Sequence, residues 1–202
     1  MTELSDFEST LIKLQWVKNR LMPIFELFPQ IKDDAFGDPF RRVLRETIVV
    51  QLHNFIRIRE NLIKETKIQE LDNCLEPLWD PIINLEIPIK KLRNQYIAHI
   101  QEEEKPFKIM PGDIIFSHDV PSTYGDWLFL AGCAASYCEL VYVNMKSEWD
   151  KAEQKYRALT PFPESHGLIT LKNYRQKTKL AYKNTLKNLQ KKGFVDSDKF
   201  FV

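Results

Sequence analysis

The sequence predicts an all-α bundle of about five helices with a small β-hairpin insertion. The chain has 202 residues with only 6 glycines, and its 11 prolines are clustered, which favours long helices separated by breaks. Within the segments between breaks, apolar residues recur at three- and four-residue steps, as on one face of a helix. Hydrophobic residues make up 44% of the chain, enough for a core, so we interpret residues 1–202 as a single domain. Charged residues make up 28% and nearly balance at +1, which excludes a chain that is disordered throughout.

Two helices are predicted in the first third of the chain. The first covers residues 6–28, and Pro23 is expected to kink it, because proline lacks an N–H and its ring crowds the preceding turn. The second begins at Asp38 and Pro39, an N-cap followed by a first-turn proline, and continues to about residue 64. Its predicted core face consists of Phe40, Leu44, Thr47, Gln51, Phe55, Ile58 and Leu62.

The third region is less regular. Prolines at positions 77, 81 and 88 exclude one straight helix over residues 66–100, so shorter pieces are expected, the last from Pro88. A core-facing stripe is predicted on that last piece, formed by Ile89, Leu92, Tyr96 and Ile100. Residues 101–126 then break the helical pattern. Within them the runs FKIM and IIFS flank Pro-Gly-Asp at 111–113, which predicts a short β-hairpin.

A long helix is predicted over residues 124–159. Its residues 127–143 form the most apolar run of the chain, but the run is slightly short for a membrane span and contains Glu139. We therefore interpret it as a buried bundle helix and expect no membrane association. Its small residues, at 131–136, would let another helix approach closely. The tryptophans are expected to pack rather than to stack on bases; they are Trp16, Trp79, Trp127 and Trp149.

The cysteines and the N-terminus indicate the compartment. Cys74, Cys133 and Cys138 are odd in number and show neither zinc spacing nor a disulfide framework. The first ten residues are polar and acidic, unlike a signal peptide. We therefore expect a cytoplasmic protein. The sequence shows neither metal-ligand spacing nor a glycine-rich phosphate loop, so we also expect no metal and no cofactor.

A final helix is predicted over residues 171–192, and it is strongly basic. No acidic residue occurs between positions 165 and 195. Four of its cations form a ridge at four-residue spacing: Arg175, Lys179, Lys183 and Lys187. Such a ridge can follow a phosphate backbone, which makes these four residues candidates for nucleic-acid binding. The alternative is a solvated helix face that keeps the protein soluble.

The run LRNQYIAHI, residues 92–100, places an arginine, an asparagine and a histidine beside the core-facing stripe. On a straight helix, Arg93 and His99 would lie roughly 120° apart around the axis and about 9 Å apart along it. At that separation the two side chains could not both contact one phosphate. Either the helix starts late or bends, or two copies pack about a twofold axis and bring Arg93 of one copy near His99 of the other.

This run resembles the signature of the HEPN superfamily, whose members are helical bundles. The family pattern is an arginine, often a polar residue directly after it, and a histidine after four to six intervening residues. Arg93, Asn94 and His99 fit it, and the pair Ala98-His99 resembles the abortive-infection and toxin-like branches. The resemblance implies a metal-independent endoribonuclease of toxin or phage-defence type. Its expected partners are RNA, a second copy of the chain in a homodimer, and a cognate antitoxin as a further candidate.

The residue types suit that chemistry. In such a reaction an RNA 2′-OH attacks its own phosphorus, and histidine is the side chain whose ordinary pKa lies near neutral pH, so His99 is the expected acid–base group. The forked guanidinium of Arg93 would stabilise charge on the phosphate oxygens. Asn94 would orient the phosphate or the arginine. The expected products carry a 2′,3′-cyclic phosphate and a 5′-hydroxyl.

Ordinary structural roles remain open for each residue. Arg93 could pair with Glu60 or Glu86, and His99 could be a helix-end histidine beside the C-terminal dipole. His53 is a candidate for a secondary contact to the cleft, although a rim or core histidine is its more ordinary interpretation. Two other functions also remain open: a catalytically silent module that binds RNA, a nucleotide or a protein, and a purely structural helical dimer.

Overall fold

The computed structural model describes residues 3–31, 37–97 and 123–159. Over these ranges the chain forms seven α-helices and no strand, which confirms the all-α class. The helices are α1 Asp6–Leu27, α2 Gly37–Leu62, α3 Thr66–Cys74, α4 Glu76–Ile83, α5 Glu86–Lys91, α6 Tyr124–Asn144 and α7 Lys146–Leu159. A 3₁₀ turn follows α1 at Phe28–Gln30, and a π-helix follows α5 at Leu92–Ile97.

The structure divides into two units, Met1–Thr160 and Pro161–Val202, and every described residue belongs to the first. The predicted hairpin and the predicted basic helix 171–192 lie outside the described residues, so both stay predictions, as does the single domain. At the end of the predicted insertion, residues 124–126 form the first turn of α6.

Helix α1 begins where the sequence predicts, because Ser5 and Glu8 form a capping box. The Glu8 backbone N–H donates to Ser5 Oγ at 3.1 Å, and the Ser5 backbone N–H donates to Glu8 Oε2 at 2.7 Å. Pro23 lies inside the helix, which continues to Leu27. The apolar side chains that α1 buries include Leu11, Leu14, Val17, Leu21 and Ile24.

Helix α2 has the predicted extent, and its predicted core face is confirmed only in part: Gln51, Phe55 and Leu62 are buried. Phe40 is 66% exposed, and Leu44 and Ile58 are only half-buried. The buried apolar side chains come from the later turns: Ile48, Val49, Leu52, Phe55, Ile56 and Leu62. The predicted face included the first turns of α2, which the rest of the described core does not cover.

The single long helix predicted over 124–159 is wrong, because α6 and α7 meet at an angle of 97°. Met145 interrupts the helix with φ −116° and ψ 28°. The bend brings Trp149 of α7 into the core, where its ring meets that of Tyr142 edge-on at 5.4 Å. The chain therefore turns through about a right angle between α6 and α7, and Trp149 is buried after the turn.

Helix α6 packs against α1, α2, α4 and α7. Its buried residues include Trp127, Ala131, Ala134 and Val141, which confirms the prediction of a buried helix. The Phe25 ring of α1 packs against Gly132. A Cβ atom added at Gly132 would lie 3.6 Å from this ring, in van der Waals contact. No single helix in the described ranges is long and apolar enough to cross a membrane; the bent pair α6–α7 meets that test only jointly.

A buried polar network joins α2, α3, α4 and α6 around Asp72. Arg59 donates from Nε and Nη2 to the Asp72 carboxylate at 2.8 and 2.5 Å, and the Tyr137 hydroxyl donates to the same carboxylate at 2.6 Å. The Trp79 indole N–H donates to the Asp72 carbonyl at 3.0 Å, while the Arg59 guanidinium lies 3.7 Å over the Trp79 ring. Burial and the bond to Asp72 raise the pKa of Tyr137. We call these four residues the Asp72 network.

Candidate active site

The segment that carries the motif leaves α-helical geometry directly after α5. Leu92–Ile97 is a π-helix, whereas the sequence predicted an α-helical piece from about Pro88 and left open that it starts late or bends. π-helical turns are rare and occur often at functional sites, because the extra residue per turn displaces the side chains that follow. The 120° separation expected between Arg93 and His99 on a straight helix therefore does not apply to this chain.

The first half of the predicted stripe faces the core of a single chain. Ile89 is fully buried and Leu92 is 6% exposed, which confirms their predicted orientation. The side chain of Tyr96, and His99 and Ile100 entirely, lie outside the described residues. Since Ile89 and Leu92 are already covered within one chain, they are not available to pack against a second copy.

A polar cleft of about 390 Å³ opens between α2, α5 and the π-helix. Its cationic lining residues are Arg57, Lys90 and Arg93, and its carboxylates are Glu60 and Glu86. His53 and Asn94 complete its polar lining. We call this site the Arg93 cleft.

Arg93 is held by the residue that follows it. Its Nη1 donates to Asn94 Oδ1 at 2.8 Å, and both side chains are half-buried. In the described part of the chain Arg93 forms no ion pair with Glu60 or Glu86, although both carboxylates line the same cleft. Neither acid therefore forms the ion pair with Arg93 that the sequence left open. A guanidinium has five N–H donors, so most of those on Arg93 stay available to an anion.

His53 lies in the same cleft and is only 9% exposed. Its pKa is lowered, chiefly by burial and then by the positive charges of Arg93, Arg57 and Lys90, while Glu60 opposes the shift. The imidazole is therefore neutral at pH 7 and able to accept a proton. Sequence reasoning had placed His53 at the margin of the site. One signal in the sequence could have identified His53 as a residue of the site. It lies four residues before Arg57 and seven before Glu60, a spacing that puts all three on one face of α2.

The cleft suits a polyanion better than a metal ion. None of Arg57, Lys90 and Arg93 forms an ion pair with another described residue, and these three cations exceed the two carboxylates of the cleft by one positive charge. Among the described residues, no group of three or more His, Cys, Asp or Glu side chains could hold a metal ion. The basic ridge predicted at Arg175, Lys179, Lys183 and Lys187 lies outside the described ranges and stays a prediction.

Comparison with known proteins found no matching family model, no matching curated protein and no matching solved structure. Membership of the HEPN superfamily therefore stays a prediction that rests on the motif.

Proposed function

We propose that the protein is a metal-independent endoribonuclease of toxin or phage-defence type, and that the Arg93 cleft holds the phosphate that is cut. One observation carries the proposal: Arg93 is oriented by Asn94 and has no carboxylate partner among the described residues. An arginine kept in this state presents a fixed cationic fork to a phosphate, and forked donors match two phosphate oxygens at once. RNA is the substrate class.

The proposed reaction is a transfer within the RNA strand. The 2′-oxygen forms a bond to the adjacent phosphorus, the bond from phosphorus to the 5′-oxygen breaks, and the products are a 2′,3′-cyclic phosphate and a 5′-hydroxyl. Arg93 stabilises the charge that develops on the non-bridging oxygens. His99 is the acid–base group, which delivers a proton to the leaving 5′-oxygen. His53, neutral and in the same cleft, is positioned to accept the proton of the 2′-OH.

The proposed assembly is a homodimer with His99 of one copy facing Arg93 of the other. Because Ile89 and Leu92 are buried within one chain, the second copy has to approach through other residues of the motif segment. The substitution Leu92→Asp is accordingly expected to unfold the chain rather than to separate two intact copies. Sedimentation of the wild type tests the assembly, and a monomer that cleaves RNA would contradict it.

The direct test is cleavage of a mixed RNA pool in EDTA by the wild type and by His99→Ala. The wild type should cut and leave cyclic-phosphate ends, whereas His99→Ala should not. A matched DNA pool serves as the control, because it lacks the attacking 2′-OH and should stay intact. Equal cutting by both proteins would refute the assignment of His99, and products with 5′-phosphate ends would refute the reaction.

A second candidate function is a catalytically silent module that binds RNA. The cations of the Arg93 cleft favour it, because they can hold a phosphate whether or not proton transfer follows. Salt-dependent RNA retention by a wild type that cuts no RNA in EDTA would select this function.

A further inference from the structure

A second polar site lies in the groove between α1 and α2. The two helices run antiparallel, since residues at the start of α1 and at the end of α2, such as Phe7 and Asn61, line a common depression. Further along, the groove encloses about 300 Å³ and is lined by Lys13, Trp16, Arg20, Gln51, Asn54 and Arg57, among others. This volume is at the lower end for small-molecule pockets, which allows one nucleotide unit rather than a folded RNA element. We call it the α1–α2 groove.

The charge of the α1–α2 groove is more one-sided than that of the Arg93 cleft. Lys13, Arg20 and Arg57 are exposed, and none of them forms an ion pair with a described residue. No carboxylate occurs among the described residues that line the groove, whereas Glu60 and Glu86 line the cleft. Three uncompensated cations in one concavity concentrate positive potential and attract phosphate.

An aromatic ring borders these cations. Trp16 is 43% exposed, in contrast to Trp127 and Trp149, which are each 1% exposed. The Tyr156 ring meets the Trp16 ring edge-on at 5.9 Å and so limits its movement. An exposed indole beside cations is the combination that binds single-stranded nucleic acid, because every base has a face that can stack on it. Trp16 was expected from the sequence to pack rather than to stack on bases; here we assign it the stacking role.

The lining of the groove also contains a hydrogen-bond acceptor without a donor. Gln51 is 4% exposed, and its Oε1 has no hydrogen-bond partner among the described residues. A buried acceptor without a donor costs stability. The groove is the open space that Gln51 lines, so a small rotation of the amide would present this oxygen to an N–H or O–H group bound there.

We infer that the α1–α2 groove binds one nucleotide of a single-stranded RNA whose neighbouring phosphate lies in the Arg93 cleft. Arg57 lines both sites and so connects them. In this arrangement Lys13, Arg20 and Arg57 hold the phosphate, and the base stacks on Trp16. The inference rests on the proposed function for the path of the strand into the cleft, but the groove itself is tested by binding alone.

The probe is a labelled single-stranded RNA hexamer in which every 2′-OH is methylated, so that it cannot be cut. Arg20→Gln should weaken binding and lower the slope of log affinity against log salt by about 0.7, the share of one phosphate contact on a single strand. Trp16→Leu should weaken binding about 5- to 150-fold, the range measured for one stacked base. It should also remove most of the tryptophan quenching that the hexamer causes in the wild type.

Two controls keep the test decisive. Lys151→Gln removes an exposed cation of α7 that lines none of these sites and should bind like the wild type. Circular dichroism tests whether Trp16→Leu is folded, and Arg20→Gln changes only an exposed side chain. Binding of Arg20→Gln and Trp16→Leu that equals the wild type would overturn the inference.

The source of the nucleotide is tested with a free nucleoside monophosphate. The hexamer should bind at least tenfold more tightly, because its neighbouring phosphates also reach the Arg93 cleft. Equal affinity for the hexamer and the monophosphate would refute the binding of a strand and indicate that the groove binds a free nucleotide. A wild type that binds the hexamer through Trp16 but never cuts RNA would refute the proposed ribonuclease and leave the groove standing, so the two failures are distinguishable.

Discussion

Two arginines only two positions apart on α2 have opposite surroundings. Arg59 is 8% exposed, forms two hydrogen bonds to Asp72 and lies over the Trp79 ring. Arg57 is exposed, has no ion pair among the described residues, and lines both the Arg93 cleft and the α1–α2 groove. The two side chains point about 200° apart around the helix, so one enters the core and the other faces solvent.

The comparison teaches how to separate a structural cation from a functional one. In the Asp72 network every charged group has a partner, so the network specifies the fold and has little left to offer a ligand. In the Arg93 cleft cations, carboxylates and a neutral histidine lie together without ion pairs among the described residues, which leaves their bonding capacity for a ligand. The two regions should therefore respond differently to substitution.

The largest expected effect is on the Asp72 network. Arg59→Ala leaves the Asp72 carboxylate buried without its cation and should lower the free energy of unfolding by about 3–5 kcal/mol, measured by urea denaturation. Arg57→Ala on the same helix is the matched control and should change it by less than about 0.5 kcal/mol. An equal loss of unfolding free energy in both variants would contradict the assignment of Arg59 to the fold and of Arg57 to a ligand.

A smaller loss is expected for Tyr137→Phe. The substitution keeps the ring, which contacts Phe55, and removes one hydrogen bond to a charged acceptor. The free energy of unfolding should fall by about 1–3 kcal/mol, again in urea. RNA binding by the folded protein should not change, and a change there would mean that the Asp72 network is coupled to the cleft.

For Arg57 the expected effect is on RNA rather than on stability. Arg57→Gln should reduce the slope of log affinity against log salt for single-stranded RNA by about 0.7, because one phosphate contact is lost. A titration at several salt concentrations measures this, alongside urea denaturation of the same sample. An unchanged salt slope would remove Arg57 from both proposed sites.

The smallest expected effect concerns His53 and pH. Because its pKa is lowered in the folded chain, the unfolded chain binds the proton first on acidification, so stability should fall as pH drops below about 6.5 toward the lowered value. His53→Gln cannot take up this proton and should lose less stability between pH 7.5 and 5.5. The same loss in both proteins would contradict a buried, neutral His53.

The sequence predicts much of this fold, but the site less completely. The apolar periodicity of α1 and the apolar run of α6 are local patterns, so the extent of α1 and the burial of α6 could be predicted. The bend at Met145 and the pairing of Arg59 with Asp72 depend on contacts between distant helices, which periodicity does not encode. The motif identified Arg93 and Asn94, because these residues are adjacent in the sequence. His53 lies in the same cleft only because α2 packs against α5.

The central claim is that Arg93 acts on RNA and does not serve the fold. Its most direct test is the rate of RNA cleavage in EDTA by the wild type, Arg93→Lys and Arg157→Lys, together with the unfolding free energy of each. Arg157 is the matched control, since its exposed ion pair with Glu153 contributes little to stability. Arg93→Lys should cut about 100-fold more slowly at wild-type stability, because a point charge does not replace the fork, while Arg157→Lys should match the wild type. Cleavage by Arg93→Lys at the wild-type rate, or no cleavage by the wild type itself, would contradict the claim.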